Sequence, residues 1–245
     1  MTRMLASVAN EQEANSLLSV GVDILDIKDP RQGALGAVDV RSVVGIVNAV
    51  SGRIPTSATI GDLPMQAGLI DKGLTEMRKT GVNIVKVGIF AAEITMSVHD
   101  VFRRHAQAGA RIVLVFFADL KPVLDDFTHL ADTGINGVML DTSDKTGGSL
   151  RSIMPDDVLR SFVHSSKAQG LMTGLAGSLQ VNDIQPLLKL EPDFLGFRGA
   201  LCSQGQRQTE IDVRAARKVR ALIPADNDSG FSPLWGKEIC LALPL

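Results

Sequence analysis

Two lysines stand in similar settings: Lys28 closes the run VDILDIK, and Lys86 lies within NIVKVGI. Brought near one point, each repels the other's charge, so a proton leaves more readily than from a lysine in water. A neutral amine is what a Schiff-base nucleophile or an amine general base requires. Asp26, two residues before Lys28, and Asp141, in NGVMLD, can orient those amines, carry protons or restore charge balance. The same four residues could instead form a buried ion-pair network that only fills space, although aliphatic side chains fill an interior at lower cost. Lys145 follows in DTSDKTGGSL, a glycine-rich stretch able to fold over a substrate or to leave the lysine in solvent. Asp62 in SATIGDLP and Asp119 in VLVFFADLKP read as turn or helix-capping residues rather than catalysts.

A phosphate site is readable separately. LAGSLQVNDI places Gly177 and Ser178 between a strand-like run and a helix, where free backbone N–H groups and the helix dipole favour an anion. GFRGAL places Arg198, Gly199 and Ala200 directly after another strand. Neither phrase is specific alone, because glycine there also makes turns. GALGAV, residues 33–38, lacks the third glycine of a dinucleotide fingerprint and reads as a loop. His99, His105, His129 and His164 fall on helical stretches without ligand spacing and read as surface residues. Cys202 reads as a buried, inert thiol. No metal and no cofactor is expected, which leaves Lys and Asp to carry acid–base work.

The elements that must position these residues alternate along the chain. Strand-like runs occupy residues 4–9, 22–28, 54–60, 83–89, 111–117, 136–141, 171–175 and 193–198. Helical spacing fills several intervals, as in VRSVVGIVNAV, LIDKGLTEMRKT, VHDVFRRHAQA and DDVLRSFVHSSKAQ. Eight strands alternating with helices predict a closed (β/α)8 TIM barrel. Four units start on a glycine, at Gly21, Gly81, Gly109 and Gly134, suited to a left-handed helix end. Counting from that glycine fixes the register: Leu25, Ile27, Val85, Val87, Val138 and Leu140 lie under the helices. Asp26, Lys28, Lys86 and Asp141 then point into the barrel near its C-terminal end. The opposite register would bury these charges in the apolar layer, at several kcal/mol or more for each (order of magnitude). The loops after strands seven and eight are also where this architecture usually holds phosphate.

Composition sets the outer limits. The 245 residues carry 25 Lys and Arg against 27 Asp and Glu, so no basic excess supports nucleic-acid or anionic-membrane binding. No apolar run is long enough to span a bilayer. Two cysteines, Cys202 and Cys240, fit a reducing cytoplasm rather than a disulfide scaffold. With no Tyr and a single Trp, Trp235, the barrel's interior layers are expected to be branched aliphatics. Residues 1–223 are assigned to the barrel and 224–245 to a flexible C-terminal tail. Barrels of this kind commonly associate through their outer helices, so a homo-oligomer is expected.

At these residues the chain resembles the (5-formylfuran-3-yl)methyl phosphate synthases, archaeal and methylotroph enzymes of methanofuran-type cofactor biosynthesis. The phrases that carry the resemblance are DILDIKDPRQGALGA, SATIGD, VKVG, MLDTSDK, LAGS and FRGALC, in this order over roughly residues 5–223. The resemblance implies a carbon–oxygen lyase acting on phosphates. It would condense two glyceraldehyde 3-phosphate molecules, a small phosphorylated triose substrate, with release of phosphate and water. Matched by phrase, Lys28 is similar to the family's Schiff-base lysine and Lys86 to its proton-transfer lysine. Asp26, Asp141 and Lys145 match further active-site positions. On that reading the Lys28 imine acidifies its adjacent carbon, Lys86 or a carboxylate takes the proton, and the resulting carbon nucleophile adds to a second triose aldehyde. Lys145, Arg198 and the Gly177–Ser178 amides would hold the phosphates. The chain departs from the family after TEIDVRAARKVRALI, where it continues PADNDSGFSPLWGKEICLALPL. Two rival readings share the same residues: a simpler Schiff-base aldolase or isomerase, and a non-catalytic barrel acting as a binding partner.

Overall fold

The computed structural model describes residues 1–91, 93–124 and 126–224. The proposed tail, with Trp235 and Cys240, lies outside them apart from Pro224. The strands are β1 (Arg3–Val8), β2 (Ile24–Ile27), β3 (Thr56–Thr59), β4 (Ile84–Ile89), β5 (Ile112–Phe117), β6 (Gly137–Asp141), β7 (Met172–Leu175) and β8 (Phe194–Phe197). All pair in parallel with their sequence neighbours, and β8 closes on β1, giving the expected eight-stranded barrel. Around it lie α1 (Glu11–Leu18), α2 (Val40–Val50), α3 (Ala67–Arg78), α4 (Met96–Gln107), α5 (Thr128–Ala131), α6 (Leu150–Ile153), α7 (Asp156–Ala168), α8 (Val181–Leu188) and α9 (Val213–Arg220). No helix among the described residues is long and apolar enough to cross a membrane.

Local chemistry explains the punctuation. Asn10, Asp39 and Asp212 each accept a backbone N–H with their side chain and so begin α1, α2 and α9. Gly21, Gly81, Gly109 and Gly134 all adopt φ of 78–83°, the left-handed conformation that lets each strand start one step after a helix. The register follows the glycine count. Leu25, Ile27, Val85, Val87, Val138 and Leu140 belong to the apolar layer between sheet and helices. A separate interior cluster holds Ile24, Ile84, Val113, Val115 and Met139.

Two expectations need correction. The interior is not built of branched aliphatics alone, because Phe117, Phe194 and Met172 also fill it. Inward-facing glycines make the room: a Cβ on Gly174 would lie 2.1 Å from the Phe194 ring, and one on Gly88 would lie 2.6 Å from Phe90. Small residues opposite large ones close the barrel centre. His105 is not a surface residue. It is buried in α4, with Nε2 2.9 Å from Asp71 and Nδ1 3.4 Å from Arg78, so helical spacing located it but did not reveal its partners across α3.

Candidate active site

β2, β4 and β6 bring four charged side chains to one end of the barrel. Asp26 sits in register with Ser7 of β1 and Ser57 of β3. Both serines donate to it, Ser57 Oγ at 2.7 Å and Ser7 Oγ at 3.1 Å. Lys86 Nζ lies 2.6 Å from Asp26 Oδ1, and both side chains are essentially without solvent contact. Their contact is an ion pair rather than an aligned hydrogen bond. Burial works to raise the Asp26 pKa, but the charges of Lys86 and Lys28 outweigh it and hold the carboxyl below its ordinary value. Burial pushes the Lys86 pKa down; Asp26 opposes this, and the nearby Lys28 charge adds to it.

A second pair lies beside the first. Lys28 Nζ is 3.7 Å from Asp141 Oδ2, while Asp141 Oδ1 accepts from Lys145 Nζ at 2.5 Å and from the Thr142 N–H at 2.7 Å. Lys145 also donates to the Thr142 carbonyl. Burial opposes ionisation of Asp141, yet Lys145 and Lys28 hold its pKa far below the usual carboxylate range. Burial lowers the Lys145 pKa against the pull of Asp141. Three lysine side chains thus share two carboxylates in one cluster. Lys28, Asp26, Asp141 and Lys145 line a cavity at the barrel mouth, whereas Lys86 stands behind Asp26 and does not reach it.

The loops after β7 and β8 form the opposite wall. Gly177, at φ 106°, packs so tightly on the end of β6 that a Cβ would come within 2.7 Å of Thr142, and Ser178 follows at φ 48°. Ser178 Oγ donates to the Lys145 carbonyl at 3.5 Å, tying the β7 loop to that of β6. Gly177, Ser178 and Gly199 line the cavity; Ala200 follows in the 3-10 turn Gly199–Leu201 and does not. Arg198 contributes to the wall, but its guanidinium is fully engaged inside the protein. Nε donates to the Arg207 carbonyl, and Nη1 and Nη2 donate to the two Glu13 oxygens, the Ser7 carbonyl and the Thr209 carbonyl. No N–H of that side chain is left for a phosphate. The arginine with donors to spare is Arg207, in the loop between β8 and α9. Its segment, QGQRQT, carries no recognisable motif, and it reaches the cavity because the loop folds back through a Cys202–Ile211 bridge.

Asp62 and Asp119 brace loops instead of capping helices. Asp62 accepts from the N–H groups of Ala34 and Leu35 at 2.9 and 2.8 Å, holding the glycine-rich loop after β2. Asp119 accepts from the N–H groups of Ser143 and Asp144 at 2.8 and 2.7 Å and so shapes the loop that carries Lys145.

These shifts set a pH dependence. Asp26 and Asp141 have lowered pKa values in the folded state, so below the ordinary value of 3.8 the unfolded chain binds more protons than the folded one. Their stabilisation is complete above about pH 5 and is lost as pH falls through 3.8 and below. Lys86 and Lys145, also lowered, make stability rise with pH as it approaches 10.5, because there too the unfolded chain keeps the protons. Urea midpoints measured between pH 3 and 7 should fall on the acid side. An unchanged midpoint there would contradict the buried ion pairs.

The family model for 4-HFC-P synthase matches residues 4–220. A Methylorubrum extorquens relative is 39% identical over 221 residues, covering 90% of this chain and 91% of its own. The (5-formylfuran-3-yl)methyl phosphate synthases of Methanosarcina acetivorans and Methanothermobacter thermautotrophicus are 30% and 31% identical over 235 residues each. These alignments cover 89% and 90% of this chain and 98% of both relatives. Among solved structures, a Vibrio cholerae 3-keto-L-gulonate-6-phosphate decarboxylase superposes with a TM-score of 0.62 at 14% identity, over 91% of this chain and 99% of that one. That likeness shows the barrel fold alone. With the family model spanning nearly the whole barrel, and relatives of that name aligned along most of their length, the chain belongs to the (5-formylfuran-3-yl)methyl phosphate synthase (4-HFC-P synthase) family.

Proposed function

We propose that the protein condenses two molecules of glyceraldehyde 3-phosphate into (5-formylfuran-3-yl)methyl phosphate through a Schiff base on Lys28. The observation that carries this reading is the position of Lys28: it lines the cavity together with Asp26 and Asp141, while the more deeply buried Lys86 does not reach the cavity. Lys28 Nζ adds to the aldehyde of one triose phosphate and loses water, forming an imine. The proton on the adjacent carbon becomes acidic, and Asp26 or Asp141 accepts it, with Lys86 behind Asp26 as the proton reserve. The enamine electron pair then expels phosphate from carbon three, leaving an enol whose terminal carbon is nucleophilic.

The substitution pattern of the furan decides which carbon that nucleophile attacks. Attack on the aldehyde of a second triose would place the phosphomethyl group beside the ring oxygen. The product carries it one carbon further, so the second triose first isomerises through its enediol, a carboxylate moving the proton from carbon two to carbon one, and then reacts as the ketose at the central carbonyl. The ketose hydroxymethyl oxygen closes the ring on the former carbon two, two dehydrations make it aromatic, and water releases the aldehyde from Lys28. The water lost at imine formation is recovered at hydrolysis, so the balance is one phosphate and two waters released. The surplus of positive charge around Lys28 and Lys145 suits the phosphate groups of both substrates.

Incubation with glyceraldehyde 3-phosphate, following inorganic phosphate and the ultraviolet absorbance of a furan aldehyde, tests the reading. Both signals should rise in equal molar amounts. Folded protein that gives neither would refute it, and carbon–carbon bond formation without phosphate release would favour the simpler aldolase.

A further inference from the structure

We propose that Arg207 is the phosphate anchor of the cavity and the residue that makes a phosphorylated triose, rather than the free sugar, its substrate. This rests on the cavity being a triose-phosphate site and names the group that selects the phosphate. Two arginines stand beside the cavity, and they differ in what their guanidinium groups already hold. Arg198 has each N–H engaged, with Glu13 as its carboxylate partner. Arg207 is partly buried and lines the cavity, yet makes no ion pair with any carboxylate among the described residues. Its single hydrogen bond there runs from Nη2 to the Gly33 carbonyl at 3.2 Å. The remaining donors face no acceptor of the protein and are open to solvent at the cavity, so an anion can take them without breaking a contact inside the protein.

The surroundings ask for the same anion. Lys28 and Lys145 share Asp141, so Arg207 adds positive charge to a site that already has an excess. Asp141 attracts Arg207 from beyond ion-pair distance, while the Arg207 charge disfavours that of Lys145. A phosphate between them would remove that repulsion and would meet Gly177 and Ser178, which line the same cavity. The planar guanidinium offers two parallel N–H groups to two phosphate oxygens, a geometry an ammonium does not match.

Arg207 is also held where such a role needs it. Its carbonyl accepts from Arg198 Nε at 2.9 Å, anchoring the backbone to the end of β8. Its Nη2 reaches Gly33 in the loop after β2, which Asp62 fixes through Ala34 and Leu35. The side chain therefore lies between two braced loops at the cavity, and a rigid mount of this kind preserves binding geometry.

The test uses Arg207→Gln and Arg207→Lys in the full chain, with exposed Arg214→Gln on α9 as a control. For Arg207→Gln, KM for glyceraldehyde 3-phosphate should rise about 10- to 100-fold, the loss expected for a charge-assisted hydrogen-bonded contact, with kcat changed less than about threefold. Borohydride trapping of unphosphorylated glyceraldehyde on Lys28, which needs only imine formation, should not change, and Arg207→Lys should recover only part of the loss. Calorimetric titration with inorganic phosphate gives a readout independent of turnover, and affinity should weaken about tenfold in Arg207→Gln but not in the control. If phosphate affinity depends on Arg207 but no furan forms, the synthase reading fails and this inference stands. If Arg207→Gln retains wild-type KM and phosphate affinity, the inference is overturned while the synthase reading is untouched. Should the glutamine variant not fold, a lysine variant with unaltered KM overturns it equally.

Discussion

Replacing Lys28 by alanine should lower furan formation by at least about a thousandfold, the scale of losing a covalent nucleophile, while leaving the barrel folded. Asp141 keeps two partners when Lys28 is gone, the Lys145 ammonium at 2.5 Å and the Thr142 N–H at 2.7 Å, so no buried carboxylate is stranded. The substitution therefore separates chemistry from stability. Borohydride reduction in the presence of substrate should add a triose-derived mass to Lys28 in the wild type and none in Lys28→Ala. An adduct on Lys86 in the wild type would exchange the roles of the two lysines. A Lys28→Arg variant with full turnover would eliminate imine chemistry, because a guanidinium stays protonated.

Asp26→Asn should act the other way, on the fold before the chemistry. Lys86 is 1% exposed, and its only ion pair among the described residues is Asp26, so the substitution leaves an ammonium buried without its counter-charge. Breaking a buried pair on one side costs about 3–5 kcal/mol, most of which is the desolvation of the charge left behind. Denaturant unfolding at pH 7 should show that loss as a lowered midpoint with an unchanged slope. A loss below about 1 kcal/mol would mean that Lys86 is already neutral in the folded protein. The double replacement Asp26→Leu with Lys86→Met removes both charges, and much of the stability should return, as commonly happens when apolar groups replace a buried pair. Turnover should not return with it. Recovery of both would mark the network as filling alone.

The frame of this molecule was legible because it is written in local patterns. Alternation along β2, β4 and β6 puts Asp26, Lys28, Lys86 and Asp141 on one face, and burying them among the helices instead would be prohibitive. The left-handed glycines set the count from which that alternation starts. His105 escaped the same logic. A helix position reports its face but not the neighbour it meets, and Asp71 of α3, 34 residues away in the chain, turns that face into a buried polar contact.

The phosphate wall divides the two kinds of information most clearly. Sequence alone placed glycines after β7 and an arginine after β8, since strand ends and turns are local properties. Which arginine keeps free donors was decided only on folding. Glu13, 185 residues distant, comes to lie against Arg198 and takes its guanidinium, while a loop without a motif carries Arg207 over the cavity. The same holds for the lysine pair, whose members residue type and spacing could not rank without the family resemblance. Closure of the barrel sets Lys86 behind Asp26 and Lys28 at the cavity surface. Side-chain type and strand parity are short-range properties of the chain; access to a cavity and the partner a charge finds depend on residues that only the closed barrel brings together.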